Sequence, residues 1–214
     1  APVPVRTGAR VGAVRVDHGG DAPWAVETED GAVVRAHRLV LTAPVPQTLA
    51  LLDAGGVSMD PSDDAVLRDA AYHPCLAVLA VLDGPSGLAP PGILRPAAEP
   101  VEVVTDNQLK GVSEVPALTV HAGPRTSAEP WDAPDRVVVD TLLGALPGVR
   151  AEPRPGAVQV QRWRYARPVR VIPQRCRRLV GLPPVVLAGD IFDGPLVGGA
   201  ARSGWAAAEV LLDA

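Results

Sequence analysis

The stretch LAGDIFDGPLVGGA, residues 187–200, places the carboxylate of Asp190 among four glycines, directly after an apolar run. The run, residues 185–188, is continuous rather than alternating, which predicts a short strand buried on both faces. From Gly198 onward the sequence is rich in alanine, which predicts a helix that begins directly after the glycines. The segment therefore predicts a strand, a loop and a helix of an α/β fold.

Asp190 lies at the predicted carboxyl end of this strand, where ligands bind in open α/β sheets. The helix N-terminus adds unpaired N–H groups and a partial positive charge, and glycine lets a ligand approach the backbone. A carboxylate here accepts hydrogen bonds from the hydroxyl groups of a sugar or sugar alcohol. The residues alone leave two interpretations open: a site for an oxygen-rich ligand, or an ordinary strand–helix turn in which Asp190 caps the helix.

Composition limits the classes of protein to which the chain can belong. Its 214 residues are 47% hydrophobic, enough for one large domain or two small ones with a buried core. The formal net charge is −4, with nineteen arginines and a single lysine, which argues against nucleic acid as a partner. No apolar run approaches the roughly 20 residues of a membrane span, so no membrane partner is predicted.

Cysteine and histidine spacing predicts no metal site. Cys75 and Cys176 lie far apart and match no metal-binding or redox spacing. They are interpreted as free thiols in a reducing compartment, which predicts a cytoplasmic protein, with a disulfide between them as the alternative. The histidines show no metal-binding spacing either, and no G-x-S-x-G motif marks a serine nucleophile, so no catalytic residue is assigned.

The remainder of the chain predicts strands interspersed with short helices. Residues 3–43 show the alternation of a β-meander, with a turn at 29–31 and a final apolar strand over 38–43. A short helix follows Pro44, and another is predicted behind a Ser62 cap. Further predicted elements are strands over 75–82, 101–107, 117–123 and 158–166, and a helix over 136–146.

Four segments together resemble the flavin-containing amine oxidase family of FAD-dependent oxidoreductases, in particular its renalase-like branch. They are RLVLTAPVPQTLALL (38–52), AAYHPCLAVLAVLDGP (70–85), QRWRYARP (161–168) and LAGDIFDGPLVGGAARSGWAAAEVLL (187–212). The resemblance implies an α/β fold in which an α+β substrate domain, residues 46–180, is inserted in an incomplete Rossmann-like FAD-binding domain. That second domain comprises residues 1–45 and 181–214.

The resemblance also implies an activity and a set of cofactor-binding residues. Renalase-like proteins oxidise reduced nicotinamide dinucleotides, and the wider family oxidises amines, by hydride transfer to flavin with reoxidation by oxygen. Asp190, with Gly189, corresponds to the residues at the ribityl or pyrophosphate region of a noncovalent FAD. The remaining implied positions are Val11 at the adenine, Ala43 and Pro44 near the dinucleotide, and Gly198, Gly199 and Ala200 at the pyrimidine edge of the flavin ring.

One departure from the family is large. The family's first βαβ unit carries a G-x-G-x-x-G loop that holds the FAD pyrophosphate, and the 214 residues contain no such motif. The sequence therefore predicts a truncated form or a fragment, with an exposed apolar sheet edge that favours self-association or a complementing N-terminal segment. The alternative is a catalytically silent binding or interaction module without a functional flavin site.

An arginine-rich segment around 162–178 allows two interpretations. On a strand, Trp163 and Tyr165 share one face and Arg162 and Arg164 the other. In the functional interpretation the two aromatic residues line a cavity for the small-molecule substrate, and an arginine meets a phosphate. In the structural interpretation the strand has a solvated face, its aromatic residues belong to the core, and the histidines of the implied substrate domain are structural too.

Overall fold

The computed structural model describes residues 3–146, 148–149 and 151–213, and the chain divides into two compact units. Unit 1 comprises Ala1–Ala71 and Pro168–Ala214, and unit 2 comprises Tyr72–Arg167. Both contain helices and strands, so the predicted mixed α/β class is confirmed. No helix of the described residues combines the length and apolarity needed to cross a membrane.

The predicted domains were defined by function, as an FAD-binding domain and a substrate domain, and this division stays a prediction. Positions 1, 2, 147, 150 and 214 of those two predicted domains lie outside the described residues.

The elements follow the chain in this order. The strands are β1 (Val11–Val16), β2 (Trp24–Thr28), β3 (Val33–Ala36), β4 (Leu39–Leu41), β5 (Tyr72–Leu82), β6 (Ile93–Leu94), β7 (Val101–Asp106), β8 (Ala117–Ala122), β9 (Pro153–Pro168), β10 (Arg177–Arg178) and β11 (Val185–Leu187). The helices are α1 (Val45–Ala54), α2 (Pro61–Arg68), α3 (Pro124–Ala128), α4 (Asp135–Gly144) and α5 (Val197–Leu212).

Unit 1 begins with the predicted β-meander, in which β1, β2 and β3 pair in antiparallel order. The predicted turn between β2 and β3 is confirmed, and Gly31 adopts φ +86° there, a conformation that glycine tolerates without strain. Trp24, the first residue of β2, is fully buried and donates its indole N–H to the Pro184 carbonyl at 3.2 Å. This bond ties the meander to the chain segment that leads into β11.

The second sheet of unit 1 has the order β10, β11, β4, with β4 and β11 parallel. All of β11 is buried, as its continuous apolar run predicts, and Val186 packs with Ala207 and Leu211 of α5. Strand β4 lies at the edge of this sheet in the described structure, and its Val40 is 41% exposed. Helix α5 also exposes large apolar side chains, namely Val197, Trp205 and Leu212.

Helix α2 corrects the predicted cap. Its N-cap is Asp60, not Ser62, and the Asp60 carboxylate accepts the Ser62 N–H at 2.9 Å. Pro61 explains the earlier start, because its fixed φ and missing N–H suit the first helical position. Asp63, inside the first turn, is buried and accepts a hydrogen bond from Arg177 at 2.8 Å.

Unit 2 is built on a five-stranded sheet in the order β6, β7, β8, β5, β9. Alternate residues of β5, from Leu76 to Leu82, point to one face and pack with Val138 and Leu142 of α4 in the main core cluster. The residues between them point to the other face of the sheet, away from α4. That second face carries the cavity described next.

Candidate functional site

A cavity of about 430 Å³ lies on the sheet face of unit 2 that α4 does not cover. The strands β5, β7, β8 and β9 supply most of its wall. Its chemically active lining residues are His73, Cys75, Arg95, Glu102, His121, Trp163, Tyr165 and Arg167. A pocket with an aromatic wall and a few converging polar groups is the usual form of a small-molecule site.

Strand register brings these residues together. On β8, His121 lies opposite Ala77 of β5 on one side and opposite Val103 of β7 on the other. A register shift between Val101 and Val103 places both Glu102 and Val103 in the cavity wall, although neighbouring strand residues normally point to opposite faces. The bulge therefore adds a carboxylate to a wall that regular pleating would leave without one.

Glu102 already forms an ion pair with Arg167. Its carboxylate accepts a hydrogen bond from Arg167 of β9 at 2.6 Å, and both side chains are partly exposed. Because the pair spans β7 and β9, it connects the two sides of the cavity. The carboxylate charge is largely compensated by the guanidinium group at that distance.

Trp163 and Tyr165 both line the cavity, in agreement with the shared face predicted from their spacing on β9. The Tyr165 ring packs edge-to-face on Tyr72, with 5.7 Å between ring centroids and 73° between planes. This geometry is the favourable one for aromatic pairs and fixes the Tyr165 ring. Trp163 is 56% exposed, which leaves a large planar surface open to a ligand.

The neighbouring arginines behave as the structural interpretation predicts. Arg162 donates to the carbonyls of Trp131 at 3.1 Å and Ala133 at 2.6 Å, and pairs with Asp135 at the start of α4. The guanidinium of Arg164 lies 5.1 Å from the centre of the Trp131 ring, a cation–π contact. The structural interpretation thus describes the arginine face of β9, but its placement of the aromatic residues in the core is wrong for Trp163, which is 56% exposed. A substrate role for Trp163 and Tyr165 stays a prediction.

Burial keeps two titratable groups of the cavity neutral. It raises the pKa of the Cys75 thiol to about 11, with a smaller contribution from the Glu102 charge. Burial also lowers the pKa of His121; Glu102 raises it, and Lys110 and Arg95 lower it. Cys75 is therefore a thiol rather than a nucleophilic thiolate near pH 7, and the His121 imidazole is predominantly neutral there.

In unit 1, the implied cofactor residues gather at the carboxyl edge of β4 and β11. The two strands are in register, with Leu187 opposite Leu41, so the segments after them emerge side by side. A Cβ on Gly189 would lie 3.9 Å from the Thr42 carbonyl, next to Ala43 and Pro44. Val11 is separate from this group in the strand order, because it begins β1 of the meander.

Asp190 follows Gly189 in this edge and does not cap the helix. The N-cap of α5 is Leu196, and no side chain in the described part of the chain accepts from the first turn there. Burial raises the pKa of the Asp190 carboxyl, and the backbone N–H groups of Asp190 and Ile191 lower it. The interpretation of Asp190 as a helix cap is therefore wrong. The Asp190 carboxyl group is half-buried, and the N-terminus of α5 has no side-chain cap.

The glycines of this loop have different tasks. The Gly189 N–H donates to the buried Ser203 hydroxyl of α5 at 3.0 Å, which holds the loop against the helix. Gly199 is buried and faces the backbone at Asp193 and Gly194, leaving no room for a Cβ. Gly198 is exposed, and a Cβ there would lie 3.5 Å from only the Arg202 guanidinium. Ala200, the residue after Gly199, donates its N–H to the Leu196 carbonyl at 3.0 Å.

These features fit part of an FAD molecule. The uncapped N–H groups of the first turn of α5 suit an anionic or oxygen-rich group, and Gly198 leaves the approach open. Asp190 provides an acceptor for hydroxyl groups. A glycine-rich G-x-G-x-x-G turn for the pyrophosphate is not among the 214 residues, so the fit concerns one portion of the cofactor.

Sequence reasoning missed Arg95 and Glu102 as cavity residues, and favoured structural roles for His73 and His121. The alternation of β8 does place His121 on the open face, which is a readable signal. The bulge that turns Glu102 into the cavity has no comparable signal. The described residues, those of the cavity included, contain no cluster of three or more His, Cys, Asp or Glu side chains that could hold a metal ion.

Comparison with known families gives one match that spans nearly the whole chain. The model of flavin containing amine oxidoreductases matches residues 1–212. No curated protein is significantly similar to the chain.

Several solved structures share the fold. A protein from Exiguobacterium sp. 255-15, provisionally named a protoporphyrinogen oxidase, has a TM-score of 0.65 at 18% identity, over 96% of this chain and 47% of its own. A cofactor-binding redesign of putrescine oxidase has a TM-score of 0.63 at 15% identity, over 96% of this chain and 49% of its own. An oxidoreductase from Methanosarcina mazei has a TM-score of 0.63 at 17% identity, over 94% of this chain and 49% of its own. The chain thus spans about half the length of these structures.

Proposed function

The chain belongs to the family of flavin containing amine oxidoreductases, and from this membership we propose that it forms part of an FAD-dependent oxidoreductase of the renalase-like or amine oxidase type. The substrate is a reduced nicotinamide dinucleotide or an amine. The glycine-rich dinucleotide-binding segment comes from another part of the polypeptide or from another chain. In this proposal the substrate domain comprises residues 46–180, and residues 1–45 and 181–214 belong to the FAD-binding domain.

The observation that carries the proposal is the carboxyl edge of β4 and β11. Asp190, the open Gly198 position and the uncapped start of α5 meet there, in the part of an α/β unit where cofactors bind. In the proposal Gly189, Asp190, Gly198, Gly199 and Ala200 hold a noncovalent flavin, with Ala43 and Pro44 beside it and Val11 near the adenine. No cysteine or histidine lies in the stretch 187–200 to form a covalent link.

A bound flavin would supply the acceptor for a hydride, with oxygen as the oxidant that restores it. The residues of this chain bind and orient the substrate. Trp163 and Tyr165 provide flat apolar walls, and the Glu102–Arg167 pair fixes the polar end of the cavity. The neutral His121 ring offers a hydrogen-bond donor and an acceptor without introducing a charge. No residue is assigned a proton-transfer role.

The proposal includes a cytoplasmic location, with no membrane or nucleic-acid partner. It also includes self-association or binding of a complementing N-terminal segment. The exposed apolar side chains of β4 and α5 support this part, since large exposed apolar patches usually mark interaction surfaces.

The test is the visible absorption spectrum of the purified chain after incubation with excess FAD and removal of free ligand. We expect a retained flavin band that weakens in Asp190→Asn and persists in Asp140→Asn, a matched charge change on the exposed face of α4. A colourless wild-type protein would instead support a binding module without its own flavin site. Equal retention by all three proteins would remove Asp190 from the proposed site.

A further inference from the structure

One cationic residue of the unit 2 cavity, Arg95, has no charged or hydrogen-bonding partner among the described residues. Arg95 follows β6 at the cavity wall, is exposed, and forms no hydrogen bond or ion pair with the described residues. Its charge acts on the half-buried ring of His121 and, like that of Lys110, lowers the pKa of that imidazole. An uncompensated guanidinium at a cavity wall is a ready partner for a carboxylate or phosphate.

The rest of the wall adds no free negative charge. Glu102 is the one acidic residue among those that line the cavity, and Arg167 already binds it at 2.6 Å. The guanidinium groups of Arg95 and Arg167 face a single carboxylate, so the wall carries an excess of positive charge. A substrate ammonium group would compete with Arg167 for Glu102 and would be repelled by Arg95.

The aromatic side of the cavity favours a planar ligand. Trp163 presents an open planar surface, and the Tyr165 ring is held by its contact with Tyr72. A planar ligand stacks on such surfaces, and an Arg95 contact at its edge fixes its direction.

We propose that this cavity binds a planar substrate through an anionic group, a carboxylate or a phosphate, that contacts Arg95 while the ring system lies against Trp163 and Tyr165. The inference deepens the proposed oxidoreductase function by naming its substrate class. It rests on that function only in treating the bound molecule as a substrate. Anion binding by the cavity is measurable without flavin.

The experiment compares naphthalene probes that differ in charge but hardly in shape. The full chain, labelled with ¹⁵N in its tryptophan indoles, is titrated near pH 7 with 1-naphthoate, 1-naphthyl phosphate, 1-naphthylmethanol and 1-naphthylmethylamine. Affinity is followed by calorimetry and the site by the Trp163 indole signal, which is assigned with Trp163→Phe. We expect the anions to shift that signal and to bind roughly tenfold or more tighter than the amine, since charge-assisted contacts are the stronger ones.

Variants test the role of Arg95 directly. Arg95→Gln should weaken binding of the anionic probes by roughly fivefold to tenfold and leave the alcohol unaffected. Arg136→Gln makes the same charge change on α4, whose buried side chains pack against the opposite sheet face, and should leave affinity unchanged. Glu102→Gln should strengthen anion binding, because it removes the competing carboxylate from Arg167.

The ratio between naphthoate and naphthyl phosphate affinities distinguishes a carboxylate site from a phosphate site. Tighter binding of the amine, equal affinity for all charges, or no shift at Trp163 with any probe would overturn the proposal. Failure of FAD retention together with preserved anion selectivity would reject flavin binding by the isolated chain and leave this inference standing. Retained FAD without anion selectivity would reject this inference alone.

Discussion

The carbonyl oxygen of Gly194 occupies the space in which a Cβ of Gly199 would lie, and the Asp193 carbonyl is 2.9 Å from the same point. The start of α5 is thus packed directly on the loop that carries Asp190. Gly199 is required by this close approach of two backbone segments. The requirement holds whether or not a ligand binds, so it separates the glycine's packing role from any cofactor contact.

Gly199→Ala is expected to destabilise the protein by about 1–3 kcal/mol, because overpacking outweighs the better helix propensity of alanine. Gly198→Ala, one residue earlier, has space for its methyl group and is expected to be neutral or to stabilise by up to about 1 kcal/mol. Chemical unfolding of both variants gives the comparison. Equal stabilities would show that the loop at 193–194 shifts freely away from the helix.

The Asp63–Arg177 pair predicts a second contrast. The Asp63 side chain is 2% exposed, and its two oxygens accept from Arg177 and from the Val180 N–H, both at 2.8 Å. Asp63→Ala leaves the largely buried Arg177 guanidinium without its carboxylate partner, and we expect a loss of roughly 3–5 kcal/mol in the free energy of unfolding.

The next residue of the same helix is the control. Asp64 pairs with Arg68 on the surface, where both side chains are well exposed. Asp64→Ala should cost at most about 1 kcal/mol. Urea unfolding of the two variants checks the difference, and similar small losses would mean that Asp63 and Arg177 are solvated in solution.

Sequence patterns predicted those elements whose burial follows a simple period. The alternation of VGAVRV predicted β1, and the continuous run at 185–188 predicted β11, because each pattern reflects which faces touch the core. The cap of α2 was misassigned by two residues, since both Asp60 and Ser62 are good caps and Pro61 decides between them. Local sequence was thus sufficient to predict that a helix forms here, but not at which residue it begins.

The candidate sites were predictable to a different degree. Trp163 and Tyr165 were placed on one face by spacing alone, and Asp190 at a strand end by the apolar run before it. The partners of these residues come from distant parts of the chain: Glu102 reaches Arg167 across 65 positions and depends on a bulge in β7. Pairing of this kind depends on strand order and register, which a single sequence does not encode in any local pattern.

The half-buried Asp190 predicts an unusual pH dependence of stability. Burial raises the pKa of this carboxyl above 3.8, so the folded state binds the proton more tightly than the unfolded state. Its contribution to stability is therefore greatest at low pH and is lost as pH rises from its ordinary pKa through the raised one.

Asp190→Asn should consequently be more stable than the wild type at neutral pH, and the difference should shrink as pH falls below the ordinary aspartate range. Thermal unfolding at a series of pH values measures it. Asp140→Asn, an exposed control on α4, should show no such trend. A variant that is less stable at pH 7 would mean that the Asp190 carboxylate is satisfied in the folded protein by more than its neighbouring backbone N–H groups.

Cys75 provides the last prediction, a test of burial at the cavity wall. Its pKa of about 11 lies well above the value of 9.0 for an ordinary thiol, and desolvation is the main cause. At pH 8 its thiolate fraction is roughly a hundredfold lower than that of a free thiol, so alkylation by iodoacetamide should be slower by a similar factor. A Cys176→Ser variant isolates the Cys75 signal, and the rate should keep rising up to about pH 11. Rapid labelling at pH 8, at the rate of the unfolded chain, would contradict a desolvated thiol and show that water enters the wall beside Glu102.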